Sequence, residues 1–188
     1  TIFTVQAWAL KMPSPDAYED GIKLLSARNV RNGALALADV DHVPVEEFER
    51  IRRRCEPQRG DVLISCSGTI GRVASVSTNE PMALVRSVAL VRPDTKHVLT
   101  SFLEHYLRSA SMQRRMVAAS KSSAQANLFQ GPIRALPVLL PPMSLQVEFE
   151  RQLLSLKAWR RKAADSAEMI LDLGKSLHGK YFGSGGTL

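Results

Sequence analysis

The 188 residues are 45% apolar, as in ordinary globular proteins, and no apolar run approaches the roughly 18 residues needed to span a bilayer. The two cysteines, Cys55 and Cys66, exclude a disulfide framework and do not have zinc-site spacing, which predicts a reducing, cytoplasmic setting. The net charge of +7 is concentrated in residues 51–134, which hold thirteen basic and five acidic residues. Such a segment either attracts polyanions or is a generic basic surface.

The first part of the chain predicts short elements separated by turns. Thr1–Leu10 alternates loosely between apolar and polar residues and predicts a strand or a short helix. Gly21–Ala27 predicts a strand, and the Asn32-Gly33 pair that follows is a strong turn signal. The loop between them carries Arg28, Asn29, Arg31 and Asn32. Arginine and asparagine can read guanine and adenine bidentately, although the asparagines could instead only build the turn.

A predicted β-hairpin follows a helix that we expect over Val45–Cys55. Val62-Leu63-Ile64 predicts a buried strand, and the chain returns over Arg72–Val76 after a turn that contains Gly68 and Gly71. The polar side chains at the tip are Ser65, Ser67, Thr69 and Arg72. The turn lacks the Gly-Lys-Ser/Thr of a nucleotide-binding loop, so it is either a plain turn or part of a binding surface.

The next segment predicts one or two strands over Pro81–Val91, a helix over Ser101–Ala119 and a final strand over Ile133–Leu140. Between the helix and the final strand lies a polar loop without a regular period. Its polar side chains include Lys121, Ser122, Ser123 and Gln125.

Residues 144–182 predict one long helix with an apolar seam, because apolar residues recur at alternating steps of three and four. The seam residues are Leu156, Trp159, Ala163, Ser166, Ile170, Leu173 and Leu177. A small domain cannot cover so long a stripe, which predicts pairing with a helix of the same protein, of a second copy or of another chain. Folding back onto its own domain is the alternative.

In this order the segments resemble a target recognition domain of the specificity subunit of type I restriction–modification systems. The stretches that carry the resemblance are Gly21–Gly33, Gly60–Arg72, Phe102–Arg115, Ser123–Leu128, Leu136–Pro142 with Gln146, and Leu177–Gly183. The standard subunit has two recognition domains and two spacer helices, whereas this chain has one of each. It therefore resembles a half-length subunit, a fragment, or the recognition end of a fused enzyme.

The resemblance implies a non-catalytic protein that reads one half of a split double-stranded DNA target. It also implies that the long helix docks a modification methyltransferase subunit, and through it a restriction subunit, or a second recognition domain. We expect a mixed α/β recognition domain over residues 1–143, a spacer or dimerisation helix over 144–183, and a flexible tail over 184–188. Two alternatives remain: a fused methyltransferase–nuclease, and a coiled-coil assembly module that does not read DNA.

The residue chemistry suggests separate roles within the three loops. Bidentate or fork-shaped groups are expected to read bases, namely Arg28, Asn29, Arg31, Arg72 and Gln125. Short hydroxyls and an ammonium are expected to hold phosphates, namely Ser65, Ser67, Thr69, Lys121, Ser122 and Ser123. No catalytic motif or metal-ligand spacing is present in the sequence, so we expect no cofactor and no metal.

Overall fold

The structure is a computed structural model that describes residues 2–7, 21–53, 55–120, 127–128 and 130–182. The strands are β1 (Phe3–Ala7), β2 (Ile22–Leu25), β3 (Val30–Arg31), β4 (Ala34–Leu35), β5 (Asp41–Val43), β6 (Val62–Ser65), β7 (Val73–Ser75), β8 (Met82–Leu84) and β9 (Val88–Pro93). The helices are α1 (Val45–Arg52), α2 (Thr100–Leu107), α3 (Ala110–Ser120), α4 (Gln130–Arg134) and α5 (Met143–Phe182). The mixed α/β class with a long C-terminal helix is confirmed. The chain divides into two compact units, residues 1–146 and 147–188.

The first unit has four layers, because both faces of its two main sheets are apolar. One sheet is antiparallel with the order β1-β9-β6-β7, and the other has the order β5-β2-β8. Alternating residues of β6 separate the layers: Ile64 packs toward helices α2, α3 and α4, whereas Leu63 packs toward the second sheet. Phe48 of α1 covers the outer face of that second sheet. The order is therefore helices, sheet, sheet, helix.

The hairpin predicted around the Gly-rich turn is confirmed. Strands β6 and β7 pair antiparallel, with Leu63 opposite Ala74. Gly68 and Gly71 have φ of 66° and 84°, a region in which a side chain would be strained. The β6 strand is fully buried and lies between β9 and β7 in its sheet. The strands of the hairpin therefore hold its turn in a fixed position.

The helix predicted over Ser101–Ala119 is two helices, α2 and α3, that break at Arg108-Ser109. Ser109 begins the second helix, because its carbonyl accepts from Gln113 N (2.9 Å) and its Oγ accepts from Met112 N (3.4 Å). Gln113 Nε2 also donates to the carbonyl of Leu107 at 2.8 Å, which satisfies the end of α2. The apolar residues keep helical spacing through the break, but the hydrogen bonds of Ser109 and Gln113 end one helix and begin the next.

The strand predicted over Ile133–Leu140 was wrong. Its first residues belong to helix α4, and residues 136–142 follow without regular structure. Prolines at 137, 141 and 142 lack the N–H that a sheet needs. The Tyr106 hydroxyl binds the backbone that a neighbouring strand would otherwise pair with. It donates to Pro137 O and accepts from Leu139 N, both at 3.2 Å.

The predicted long helix is confirmed as α5, and its first turn is anchored by a buried glutamine. Gln146 is fully buried and accepts from Leu99 N at 2.9 Å through Oε1. Its Nε2 donates to His97 O and Pro141 O, both at 3.0 Å. Within the second unit the predicted seam side chains are exposed, including Trp159 (73%) and Ile170 (70%). In the part of the chain that is described, no helix is both long and apolar enough for a membrane span.

Candidate nucleic-acid interface

Two predicted loops, and the residue Leu128 that follows the third, meet at the tip of the β6–β7 hairpin. The turn after β3 is fixed to the start of β7, since Gly33 N donates to Val73 O at 2.8 Å and Val73 N donates to Asn32 Oδ1 at 3.2 Å. On the other side, Leu128 N donates to Cys66 O at 2.8 Å, which places the end of the third loop against the hairpin. Segments distant in sequence therefore meet at the hairpin tip.

Ser65 stabilises the turn at the hairpin tip through buried hydrogen bonds. Its Oγ donates to Thr69 O at 2.6 Å and accepts from Arg72 N at 2.9 Å, and the residue is fully buried. Its carbonyl also accepts from Gly71 N at 2.9 Å. The expectation that Ser65 holds a phosphate is therefore corrected, because the hydroxyl already closes the turn. Ser67 is half-buried and Thr69 is exposed at the same tip.

Asn29 has a similar internal role in the first loop. It is 1% exposed, and its Nδ2 donates to Ala36 O (3.2 Å) and Asp39 O (2.8 Å). Its Oδ1 accepts from both the backbone N and the Oγ of Ser26. All its usual hydrogen bonds are made within the fold, which corrects its assignment as a base reader.

The remaining predicted DNA-contacting residues differ in their exposure and in their hydrogen-bond partners. Arg28 is half exposed and donates to Asp41 Oδ1 at 2.8 Å. Arg31 is exposed and Arg72 is half-buried, and neither has a polar side-chain partner within the described residues. Asn32 is exposed and uses its Oδ1 on Val73 N, which leaves its amide donors facing outward. Lys121, Ser122, Ser123 and Gln125 lie outside the described residues.

The structure adds two arginines that we did not predict from the sequence. Arg86 is exposed beside Ser87, whose carbonyl accepts from Cys66 N at 2.7 Å and whose Oγ accepts from Ala27 N at 3.0 Å. These bonds place Arg86 next to the first loop and the hairpin. The polar Arg86-Ser87 pair between two apolar runs was the available signal, because it marks a turn.

Arg108 is the second added residue, and a buried acid orients it. Glu104 accepts from Arg108 Nη1 at 3.1 Å and from Ser75 Oγ at 2.6 Å. A side chain at Gly33 would have its Cβ 2.6 Å from Arg108 Nη1, so the guanidinium lies directly against the first loop. Gly33 has φ of 83° and is needed for this approach. No local sequence pattern reports such a contact.

Both cysteine thiols lie in the apolar core. Burial raises the pKa of Cys55 to about 11 and that of Cys66 to about 12. Thiols with such pKa values remain protonated at neutral pH and are poor nucleophiles. Among the described residues no group of three or more His, Cys, Asp or Glu side chains could hold a metal ion.

We expect native protein at pH 8 to resist alkylation by iodoacetamide, whereas urea-unfolded protein reacts at both thiols. Because folding raises both pKa values, their contribution to stability is complete below about pH 9 and decreases as the pH rises through the folded values. Intact-mass measurement of labelled protein checks the first result. Rapid double labelling of the native protein would contradict the buried placement.

The comparisons with known proteins identify the family. A family model described as the type I restriction modification DNA specificity domain matches residues 45–156, which is more than half of the chain. The chain belongs to this family. The match includes the hairpin, Arg86, Arg108 and the start of α5, whereas the first loop precedes it.

Relatives of this specificity domain are found among curated proteins and solved structures. The type I restriction enzyme EcoBI specificity subunit of Escherichia coli is 29% identical over 153 residues, which cover 81% of this chain and 31% of that protein. The specificity domain therefore spans about a third of the length of that curated relative.

Three solved structures share the fold. A chain from a study of complex assembly and conformational transition of the type I R-M system superposes with a TM-score of 0.63 at 14% identity, over 95% of this chain and 43% of the other. The HsdS subunit of Thermoanaerobacter tengcongensis has a TM-score of 0.52 at 15% identity, over 97% and 43% of the two chains. The S subunit of M. genitalium has a TM-score of 0.54 at 15% identity, over 90% and 41%.

Proposed function

We propose that this specificity domain reads one half of a split double-stranded DNA target and is not itself catalytic. The observation that carries the proposal is the convergence of the turn at Asn32-Gly33, the hairpin tip and the end of the third loop on one edge of the fold. This edge presents guanidinium and amide groups that carry no internal ion pair in the described structure. Such groups suit base edges and phosphates.

The geometry divides the predicted DNA-contacting residues into two roles. Arg31, Asn32 and Arg72 are the proposed base readers, because the first two are exposed, Arg72 is half-buried at the tip, and Asn32 is hydrogen-bonded to the start of β7. Ser67 and Thr69 at the tip are proposed phosphate contacts. Asn29 and Ser65 position the loops from inside. Arg28 and Arg108 are held by carboxylates, which orient their guanidinium groups while lowering the net charge they present.

Selection of bound sequences from a random duplex pool tests the reading function directly. The experiment uses this chain with and without the type I methyltransferase subunit of the same system, followed by mobility-shift titration of the selected and random duplexes. We expect enrichment of a short defined motif in both arms. Equal affinity for every duplex in both arms would contradict DNA reading and favour the assembly-module alternative.

The second part of the proposal concerns α5, which we propose docks the methyltransferase subunit or another helix. Its exposed apolar side chains recur at heptad spacing over residues 156–177. Each Leu or Ile side chain that a partner buries contributes about 1.5–3 kcal/mol to the free energy of association. An exposed apolar stripe of this length therefore favours association.

Replacing Ile170 and Leu173 together with Asp is expected to weaken partner binding at least roughly 100-fold, since two buried apolar contacts become buried charges. The matched control is Leu154→Asp, because Leu154 is also 60% exposed but projects from the opposite side of the helix. Sedimentation velocity and pull-down with the methyltransferase subunit measure the result. Equal binding by the double variant and the control would exclude the seam as the docking surface.

A further inference from the structure

Helix α3 presents a second cationic surface that the loop residues do not include. Ser111, Arg114, Arg115 and Ala118 line a hollow of about 330 Å³. Their spacing of three, four and seven residues places them on one face of the helix. Both arginines are exposed, and neither has an ion-pair or hydrogen-bond partner within the described residues.

These two arginines differ from three surface arginines on helices α1 and α5. Arg50, Arg52 and Arg151 each pair with a glutamate three residues earlier. Helix α3 contains no acidic residue at all, so nothing on the same helix neutralises its two guanidinium groups. Two adjacent like charges repel each other and favour the binding of an anion between or beside them.

The opposite face of α3 is fixed to the hairpin tip. Gln113 Nε2 donates to Gly71 O at 2.8 Å, and Met112 and Met116 are buried in the core. Arg114 follows Gln113 directly, so the same turn of α3 carries the contact to the tip and one side of the hollow. The hairpin tip and the two arginines are therefore held by one helix.

We propose that this hollow holds the phosphate backbone of the DNA whose bases face the hairpin tip, an inference that rests on the proposed function. Guanidinium forks match phosphate oxygens, and the small side chains of Ser111 and Ala118 leave room for the sugar–phosphate chain. Contacts of this kind set the register of a protein on a duplex without reading sequence. Arg114 and Arg115 are thus positioning residues for recognition, distinct from Arg31 and Arg72.

The test compares Arg114→Ala/Arg115→Ala with a matched control, Arg160→Ala/Arg161→Ala, which removes the same charge from exposed positions of α5. Each protein is titrated with a selected duplex and a random duplex over a series of salt concentrations. Loss of two phosphate contacts reduces the slope of log K against log salt by about 1.8 and weakens both duplexes between roughly tenfold and sixtyfold near 0.1 M salt. We expect the sequence preference and the thermal stability of the variant to remain unchanged.

The outcomes separate this inference from the proposed function. An unchanged salt slope, an equal loss in the control variant, or a changed sequence preference would overturn the α3 backbone site while the reading function stands. Uniform weakening in a protein that selects no sequence would support the α3 site and overturn sequence reading. Failure of the unaltered chain to bind any duplex would overturn both.

Discussion

Replacing Arg31 and Arg72 together with alanine is expected to reduce discrimination between selected and random duplexes at least roughly thirtyfold. A bidentate arginine–base pair contributes about 1–3 kcal/mol of discrimination, and two such pairs are lost. The two residues belong to loops that are hydrogen-bonded to each other through Asn32, Gly33 and Val73, so they act on one patch of DNA. Affinity for random duplexes should fall much less than affinity for the selected one.

Competition titration measures this result, and a repeated selection shows which base positions become degenerate. The control is Arg50→Ala/Arg53→Ala, an equal charge change on exposed side chains at α1, away from the loops. Arg72→Ala alone should relax one position of the motif. If it selects the same sequence as the unaltered chain, Arg72 is not a base reader.

Asp61→Ala is expected to lower the free energy of unfolding by about 2–3 kcal/mol, which corresponds to a melting temperature lower by roughly 4–12 °C for a chain of this size. Asp61 is 2% exposed and accepts from Arg92 Nε at 2.8 Å and from Arg92 Nη2 at 2.7 Å. Its Oδ2 also accepts from Gln58 N at 2.8 Å. Removing the carboxylate leaves the Gln58 N–H without its partner and leaves the Arg92 guanidinium with its bond to Glu56 O at 2.9 Å.

The matched control is Asp61→Asn, which retains an acceptor for the backbone but removes the charge. It should cost less than the alanine variant, because one hydrogen bond survives. The hydrogen bond to Asp61 raises the Arg92 pKa in the unaltered chain. Without it the arginine still stays charged, because the ordinary pKa of arginine lies far above neutral pH. Urea unfolding followed by circular dichroism provides the measurement. A loss below about 1 kcal/mol for Asp61→Ala would show that water replaces the lost partner.

Part of the site could be predicted because its signals are local. Gly68 and Gly71 mark a turn that needs positive φ, and the buried run at 62–64 marks the strand before it. Asn32-Gly33 identified the second turn, and the charge count located the basic segment. These signals located the loops and therefore their polar side chains. They did not indicate which of those side chains are exposed and which are buried.

The errors arise where a hydrogen bond that no sequence pattern reports decides the role of a residue. Tyr106 supports the segment around Leu139 across 33 residues, so an apolar run that resembled a strand forms no ladder. Asn29 and Ser65 were predicted to contact DNA, yet the surrounding backbone uses their polar groups. Their chemistry was visible in the sequence, but their burial was not.

Local chain chemistry alone determined the hairpin, the two glycine turns, the long α5 helix and the excess of positive charge, because each depends on neighbouring residues or on a count. Tertiary packing decided which polar groups face outward, and that Arg86 and Arg108 join the loop surface. These features depend on hydrogen bonds and close contacts between residues far apart in the chain, such as Arg108 against Gly33. No pattern confined to a short stretch of sequence contains that information.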